Sequence, residues 1–169
     1  MKAIVAVDSK WGIGNKGQLL VSIPEDHRMF RKETKNKVVI LGRKTLSTFP
    51  NSLPLDQRTN IILSRNEDIN VRSTETGKAI MARSIEDVLE LCKEYDSEDV
   101  YVIGGASVYK ELLPYVDTCI VTAIDRDYEA DCFFPNLEKD DDWELADETD
   151  EKTYFDTCYT FQVWKRKNK

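Results

Sequence analysis

An acidic side chain, Asp26, stands where it could supply a proton. Pro24 is typical of the first position of a helix, so Asp26 falls in the first turn and shares a face with Phe30. Burial beside apolar side chains would raise the pKa of this carboxyl, which suits a general acid. Asp26 could instead only offset the helix dipole, a role that Glu25 can serve. The apolar face favours the catalytic interpretation.

Three predicted strand ends carry residue types that suit phosphate binding. The strand ends are followed by Gly42-Arg43-Lys44-Thr45, Ser64-Arg65 and Gly104-Gly105-Ala106. Bare amides at a helix start bind phosphate, and glycine permits close approach. Singly, each cation could be a solvated surface charge and Gly-Gly a tight turn. Because open α/β sheets bind ligands beyond the carboxyl ends of strands, their shared placement predicts a phosphate-rich ligand. Ser64 and Arg65 would suit an additional phosphate monoester, as in NADP.

A glycine pattern early in the chain resembles a dinucleotide fingerprint but lacks its context. Gly12-Ile13-Gly14-Asn15-Lys16-Gly17 spells G-x-G-x-x-G after a predicted strand. The fingerprint needs a helix that starts on its glycines and an acidic residue about 20 positions later. Here Pro24 interrupts any such helix, and the next strand ends in the basic Arg43. We therefore expect residues 9–23 to form a mobile loop across a site.

Composition limits the classes of protein to consider. The chain has 169 residues, 41% hydrophobic and 33% charged, and a net charge of −7. This predicts one soluble domain over residues 1–169, most simply a monomer, and argues against a nucleic-acid partner. The four cysteines form no Cys-x-x-Cys pair and His27 is the single histidine, so no metal site is expected. The acidic runs 125–131 and 138–142 read as solvated loops. Without a signal peptide or membrane span, we expect a cytoplasmic protein.

The order of predicted elements indicates an α/β fold. We expect a mixed, mainly parallel central sheet with helices on both faces and a C-terminal antiparallel hairpin. The expected strands are 4–7, 37–41, 60–64, 79–82, 100–103, 118–124, 143–146 and 154–164. The expected helices begin at Pro24, Gly42, Ser84 and Ala106, and the third is expected to reach Tyr95.

Taken in order, these motifs resemble the dihydrofolate reductase family along the whole chain. The segments that carry the resemblance are Ile4–Val7, Ile13-Gly14, Ile23–Asp26 with Phe30, Gly42–Thr45, Arg58–Arg65, Val102–Ala106 with Tyr109, Thr122–Asp125 and Phe134-Pro135. The resemblance implies NADPH-dependent reduction of 7,8-dihydrofolate to tetrahydrofolate. Hydride would pass to the imine carbon of the pterin, and a proton would be added to the adjacent nitrogen.

The resemblance also implies roles for individual residues. Asp26, supported by Thr122, would promote protonation, and Arg58 would pair with the glutamate carboxylate of the substrate. The implied substrate-binding residues are Ile4, Asp26, Phe30, Leu53, Arg58, Ile103, Tyr109 and Thr122. The implied cofactor-binding residues are Ala6, Ile13, Gly14, Asn15, Gly17, Gln18, Gly42, Arg43, Lys44, Thr45, Leu63, Ser64, Arg65, Arg83, Ile103, Gly104, Gly105, Ala106, Ser107, Val108 and Tyr109.

The chain departs from the family pattern at two positions that matter for function. Leu20-Val21 stands where the family usually has Pro-Trp, so the tryptophan donor toward the pterin is missing. We expect weaker pterin binding or a slower hydride step than in a relative that keeps the tryptophan. Ser107 stands where some members have an Arg for the ribose phosphate, which leaves more of that contact to Arg65.

Two other functions fit part of the pattern. A reductase of the same fold that acts on a riboflavin precursor would share the cofactor residues. The set of Asp26, Phe30, Leu53 and Arg58 favours a pterin with a glutamate tail. A nucleotide-binding protein without catalysis would have no need for a carboxyl on an apolar helix face.

Overall fold

A computed structural model describes residues 1–65 and 71–167. The strands are β1 (Lys2–Val7), β2 (Gly12–Asn15), β3 (Gln18–Leu19), β4 (Val38–Gly42), β5 (Thr59–Leu63), β6 (Lys78–Ala82), β7 (Val100–Gly104), β8 (Thr118–Ile124), β9 (Cys132–Phe133), β10 (Trp143–Glu148), β11 (Lys152–Tyr154) and β12 (Thr157–Arg166). The α-helices are α1 (Pro24–Thr34), α2 (Arg43–Leu46), α3 (Ile85–Cys92) and α4 (Ala106–Leu112). Short 3₁₀ turns cover Pro50–Ser52, Ser97–Asp99, Leu113–Tyr115 and Leu137–Lys139.

The main sheet is mixed and mainly parallel, as the sequence predicts. It has nine strands, eight of them in the order β10-β12-β8-β1-β7-β4-β5-β6, with β11 beside β12. The pairs from β8 to β6 are parallel, whereas β12 is antiparallel to β8, β10 and β11. Strands β7, β4 and β5 are consecutive neighbours, so the residues that follow them meet along one edge.

Helices cover both faces of this sheet because the central strands are apolar on both sides. Val38 and Ile40 of β4 belong to one core cluster, together with Val88 of α3 and Leu112 of α4. The alternate β4 residues, Val39 and Leu41, belong to another cluster with Leu46 of α2 and Phe30 of α1. The period of two along β4 thus decides which helix each side chain meets.

The glycine-rich segment is more ordered than the sequence suggests. Residues 9–23 include β2 and β3, which form a small antiparallel sheet in the order β3-β2-β9. The prediction that residues 9–23 form only a loop is therefore wrong for these strands, while the predicted mobility stays a prediction. The partner β9 comes from residues 132–133, more than a hundred positions later, which local sequence patterns do not reveal.

The C-terminal hairpin is confirmed, but the expected strand 154–164 is wrong as one element. A turn at Phe155 and Asp156 divides it into β11 and β12, and Phe155 adopts a left-handed φ of 54°. Ser84 caps α3 by accepting a hydrogen bond from the Asp87 amide, and α3 ends at Cys92 rather than at the expected Tyr95.

None of the described helices is long and apolar enough to cross a bilayer.

Candidate active site

Asp26 and Thr122 form a hydrogen-bonded pair between α1 and the main sheet. Helix α1 begins at Pro24, so Asp26 falls in its first turn, where its side chain is half-buried. The Thr122 hydroxyl donates to Asp26 Oδ1 at 2.6 Å. Burial raises the pKa of the Asp26 carboxyl above its usual value of 3.8, while the Thr122 hydrogen bond and His27 act in the opposite direction. The carboxyl is thus biased toward the protonated form and held in one orientation.

Thr122 is fixed by its place in the middle of the sheet. It lies in β8 between Ala6 of β1 and Phe161 of β12, and its side chain is fully buried. A β-branched residue in a central strand has few rotamers, which restricts the directions open to its hydroxyl. The sheet therefore limits the motion of Asp26 through this hydrogen bond.

His27 is half-buried beside the loop that precedes α1. Its Nε2 lies 2.8 Å from the Ser22 hydroxyl. Val21, which directly precedes Ser22, packs against the apolar cluster of Ile23, Ile124 and Tyr159. The side chain at the family's tryptophan position is therefore held by apolar contacts.

The apolar side chains among the implied substrate-binding residues come from several elements. Ile4 of β1, Phe30 of α1 and Ile103 of β7 belong to one cluster, in which Ile4 is buried and the other two are partly buried. Leu53 follows a 3₁₀ turn and keeps 46% of its surface exposed, so it stands apart from this cluster at the solvent boundary.

Tyr109 connects helix α4 to strand β1 beside Ile4. Its hydroxyl donates to the Ile4 carbonyl at 2.7 Å, and its ring meets Phe134 edge to face with centroids 4.9 Å apart. Burial raises the pKa of this phenol, which stays protonated as a donor. Tyr109 thus ties α4 to β1 rather than presenting its hydroxyl to solvent.

Arg58 lies at the start of β5, against the end of α1. Its Nε donates to the Thr34 hydroxyl at 3.1 Å, and its two terminal nitrogens donate to the carbonyls of Asp56 and Arg31 at 2.6 and 3.3 Å. Burial lowers the pKa of the guanidinium, as does the nearby Arg31, although it remains a cation. Two N–H groups of the fork remain for an anionic ligand.

The structure brings the three predicted phosphate-binding segments to one edge of the sheet. Gly42 caps α2 beyond β4, Gly105 caps α4 beyond β7, and Ser64 follows β5. A methyl group at Gly105 would lie 3.3 Å from the Thr45 hydroxyl, and one at Gly42 would lie 3.1 Å from Val108. The starts of α2 and α4 therefore approach so closely that glycine is needed between them.

Gly104 is also a position that favours glycine, for two reasons. Its φ is +125°, a conformation that side chains disfavour, and an added methyl group would meet the Tyr109 ring at 3.3 Å. Gly104 and Gly105 are joined by a cis peptide bond.

The Ser64–Arg65 segment sits beside the end of β6. The Ser64 amide donates to the Ala82 carbonyl at 2.9 Å, which brings Ser64 near Arg83. The Arg83 amide is itself held by the Asp87 carboxylate at 3.0 Å. Arg65 is exposed, and its Nη2 lies 2.9 Å from Glu111 Oε1 of α4. Sequence reasoning missed this acidic partner because the two residues are far apart in the chain.

Two carboxylates that sequence reasoning left out hold the glycine-rich segment. Asp8 is buried and accepts hydrogen bonds from the amides of Gly12 at 2.7 Å and Tyr128 at 3.0 Å. Asp131 accepts from the Lys16 amide at 2.9 Å, which lowers the pKa of its carboxyl. The acidic run 125–131 is thus more than a solvated loop. The assigned cofactor residues Ile13, Gly14 and Asn15 lie in β2 between these anchors, whereas Gly17 and Gln18 are exposed.

No group of three or more His, Cys, Asp or Glu side chains is placed to bind a metal in the part of the chain that the structure describes.

Comparison with known proteins assigns this arrangement to a family. A family model described as Dihydrofolate reductase matches residues 1–166. A dihydrofolate reductase of Staphylococcus haemolyticus is 37% identical over 166 residues, covering 96% of this chain and 93% of that protein. A dihydrofolate reductase of Bacillus subtilis is 32% identical over 169 residues, covering 98% of this chain and 94% of that protein.

A solved structure agrees with the sequence comparisons. Dihydrofolate reductase from Enterococcus faecalis, complexed with NADP(H) and RAB-propyl, has a TM-score of 0.82 and 29% identity to this chain. The similarity covers 99% of this chain and 96% of the other. The chain belongs to the dihydrofolate reductase family.

Proposed function

We propose that Asp26 assists the protonation step when this chain reduces 7,8-dihydrofolate to tetrahydrofolate with NADPH. Family membership assigns the overall reaction, and a relative in the same family was solved with NADP(H). The observation that supports the role of Asp26 is its pairing with the buried Thr122 at 2.6 Å. Asp26 lies in the first turn of α1, and Phe30 one turn later packs in the same apolar cluster as Ile4.

The residues along the sheet edge fit a dinucleotide with several phosphates. Gly42 and Gly105 lack the Cβ atoms that would crowd the close approach of α2 and α4, and Gly104 lacks one that would meet Tyr109. Arg43 and Lys44 are exposed next to this space, so their charges are available to phosphate oxygens. We assign the pyrophosphate to the Gly42–Thr45 and Gly104–Ala106 segments, and the ribose 2′-phosphate to Ser64 and Arg65.

The bound cofactor supplies the hydride, and the protein supplies orientation, exclusion of water and a proton. Backbone groups of Ala6 and Ile13 would orient the nicotinamide carboxamide at the carboxyl end of β1. Asp26 would bind the amidine-like edge of the pterin, with the Thr122 hydroxyl fixing the carboxylate orientation. Because burial raises the pKa of Asp26, a proton stays near the reacting nitrogen at higher pH than an exposed aspartate would allow.

Substrate specificity would come from the opposite end of the cleft. Arg58 is already oriented by Thr34 and two backbone carbonyls, so little side-chain freedom is lost when it binds a carboxylate. This supports a substrate with a terminal glutamate over a riboflavin precursor. Phe30, Ile103 and Leu53 would contact the flat rings between Asp26 and Arg58.

The direct test is an assay of the purified protein with NADPH and dihydrofolate, in which oxidation of NADPH is followed by absorbance. We expect turnover that requires both compounds. Turnover with a riboflavin precursor alone would support the other reductase, and binding of NADPH without oxidation would support a non-catalytic protein. The slower hydride step expected from Val21 remains a prediction.

We further propose that the chain acts as a single domain and as a monomer in the cytoplasm. The continuous nine-stranded sheet supports the single domain, because strands from both ends of the chain are interleaved in it.

A further inference from the structure

The arginine assigned to the ribose 2′-phosphate is already paired with a carboxylate. Arg65 Nη2 and Glu111 Oε1 lie 2.9 Å apart, a distance typical of a charge-assisted hydrogen bond. The pair joins the segment after β5 to helix α4, 46 positions apart in sequence. The side chains remain 66% and 36% exposed, so a ligand can reach both charges.

Glu111 lies on the face of α4 that also carries Ser107. Glu111 follows Ser107 by one helical turn, so the two residues share a face of the helix. Ser107 is the position at which the sequence lacks a cation that could share the phosphate with Arg65. This face of α4 therefore contributes a negative charge near Arg65, and residue 107 contributes no positive charge.

We propose that Glu111 is a specificity-determining residue that lowers the preference of this enzyme for NADPH over NADH. The inference rests on the proposed function, which assigns the 2′-phosphate to Arg65. A phosphate monoester carries a charge of about −1.5 to −2 at neutral pH, so it competes with the Glu111 carboxylate for one guanidinium. Once bound, it is also repelled by that carboxylate. NADH has a hydroxyl at this place and is affected far less.

The experiment compares dissociation constants measured by calorimetry, without turnover. NADPH, NADH, 2′,5′-ADP and 5′-ADP are titrated into the wild-type protein and into Glu111→Gln, Arg65→Ala and the double variant. Glu90→Gln is the matched control, because Glu90 is an exposed carboxylate that pairs with Lys93 within one turn at the end of α3. All ligands are measured at two salt concentrations.

We expect Glu111→Gln to raise the ratio of NADPH to NADH affinity by about 3- to 30-fold, a range set by charge interactions at a partly exposed site. The gain should shrink at high salt, and 2′,5′-ADP should show it while 5′-ADP does not. Glu90→Gln should leave the ratio unchanged. In the Arg65→Ala background, Glu111→Gln should have a smaller effect, which identifies the coupling between the two residues.

The outcomes separate the inference from the function on which it rests. If Arg65→Ala abolishes the preference for NADPH but Glu111→Gln does not change it, the role of Glu111 is refuted and the phosphate assignment stands. A lower ratio in Glu111→Gln would also refute it, since Glu111 would then orient Arg65 for the phosphate. If Arg65→Ala leaves the ratio unchanged, the assignment of the 2′-phosphate to Arg65 is wrong and the inference fails with it.

Discussion

The two ends of the proposed site are constructed differently. On the substrate side, Asp26 and Arg58 are partly buried and already hydrogen-bonded to Thr122 and Thr34. On the cofactor side, Arg43 and Lys44 are exposed, and the close approach of α2 and α4 depends on glycines. Substitutions on the substrate side should therefore change proton transfer and ring orientation. Substitutions on the cofactor side should change affinity and its salt dependence.

The largest effect should come from Asp26→Asn. Removal of the titratable proton should lower the rate of dihydrofolate reduction by about 10²- to 10⁴-fold, the usual contribution of a general acid. The dissociation constant for NADPH should stay within about twofold, because the proposed phosphate contacts lie at the other end of the site. Single-turnover kinetics and NADPH titration measure the two quantities. A comparable loss of NADPH affinity would contradict the division between the two sides.

The same variant should be more stable at neutral pH, which distinguishes lost chemistry from misfolding. The pKa of Asp26 is raised in the folded state, so its ionisation costs stability as pH rises through that pKa. At pH below 3.8, the ordinary pKa expected for Asp26 in the unfolded chain, this cost is absent. Thermal unfolding should therefore show a gain in Tm for Asp26→Asn at neutral pH that vanishes in acid. A lower Tm for Asp26→Asn than for wild type at neutral pH would contradict the expected direction of the stability change.

Arg58→Gln should weaken dihydrofolate binding by about 10- to 100-fold. A hydrogen bond to a charged group contributes about 1.5–3 kcal/mol, and the shorter, neutral glutamine keeps a polar side chain without the guanidinium charge. Dihydropteroate, which lacks the glutamate tail, serves as the control substrate. Its affinity should be equal for wild type and variant, and an equal loss for both substrates would mean that Arg58 acts only on the fold.

Gly104→Ala should weaken NADPH binding by about tenfold and destabilise the fold by about 1–3 kcal/mol. The new methyl group would be held at a φ of +125° and pressed against Tyr109 at 3.3 Å. Gly17→Ala is the comparison variant, because Gly17 has a φ of +78° but nothing within 4 Å of an added Cβ. Urea unfolding should show the smaller loss for Gly17→Ala. Equal losses would mean that the contact with Tyr109 contributes nothing.

The smallest effect should come from Thr122→Val, which keeps the shape of the side chain and removes its hydroxyl. The Thr122 hydrogen bond lowers the pKa of Asp26, so its loss should move the pH profile of the hydride step to higher pH. The maximal rate should fall less than in Asp26→Asn. Thr118→Val is the control, since Thr118 is a buried residue of the same strand that donates to Asp117 instead. A pH profile equal to wild type in Thr122→Val would show that this hydrogen bond does not tune Asp26.

The starts of helices and the ends of strands are the features that the sequence predicts best. The capped start of α3, the proline at the start of α1 and the glycine-marked ends of β4 and β7 all depend on residues within a few positions of one another. Their joint placement at one edge follows from the parallel arrangement of neighbouring strands. The family resemblance adds Thr122 as the proposed support of Asp26, a pairing that crosses 96 positions.

Contacts between distant segments explain what sequence reasoning missed. Strand β9 and Asp131 bind the segment 9–23, and Glu111 pairs with Arg65. Nothing in the local sequence distinguishes Asp131 or Glu111 from other surface carboxylates. The division of the expected strand 154–164 depends on the left-handed turn at Phe155, a residue type that does not mark turns. These features are set by tertiary packing rather than by local preference.

The most direct test of the account is the pH dependence of the hydride-transfer rate in wild type and Asp26→Asn, measured in single turnovers with NADPH and its deuterated form. The wild-type rate should decline as pH rises through a pKa above the usual aspartate value, with an isotope effect that identifies hydride transfer as the observed step. Asp26→Asn should be slow, and its rate should not decline through that pKa. A variant that keeps the wild-type rate or the wild-type pH profile would show that Asp26 does not assist protonation.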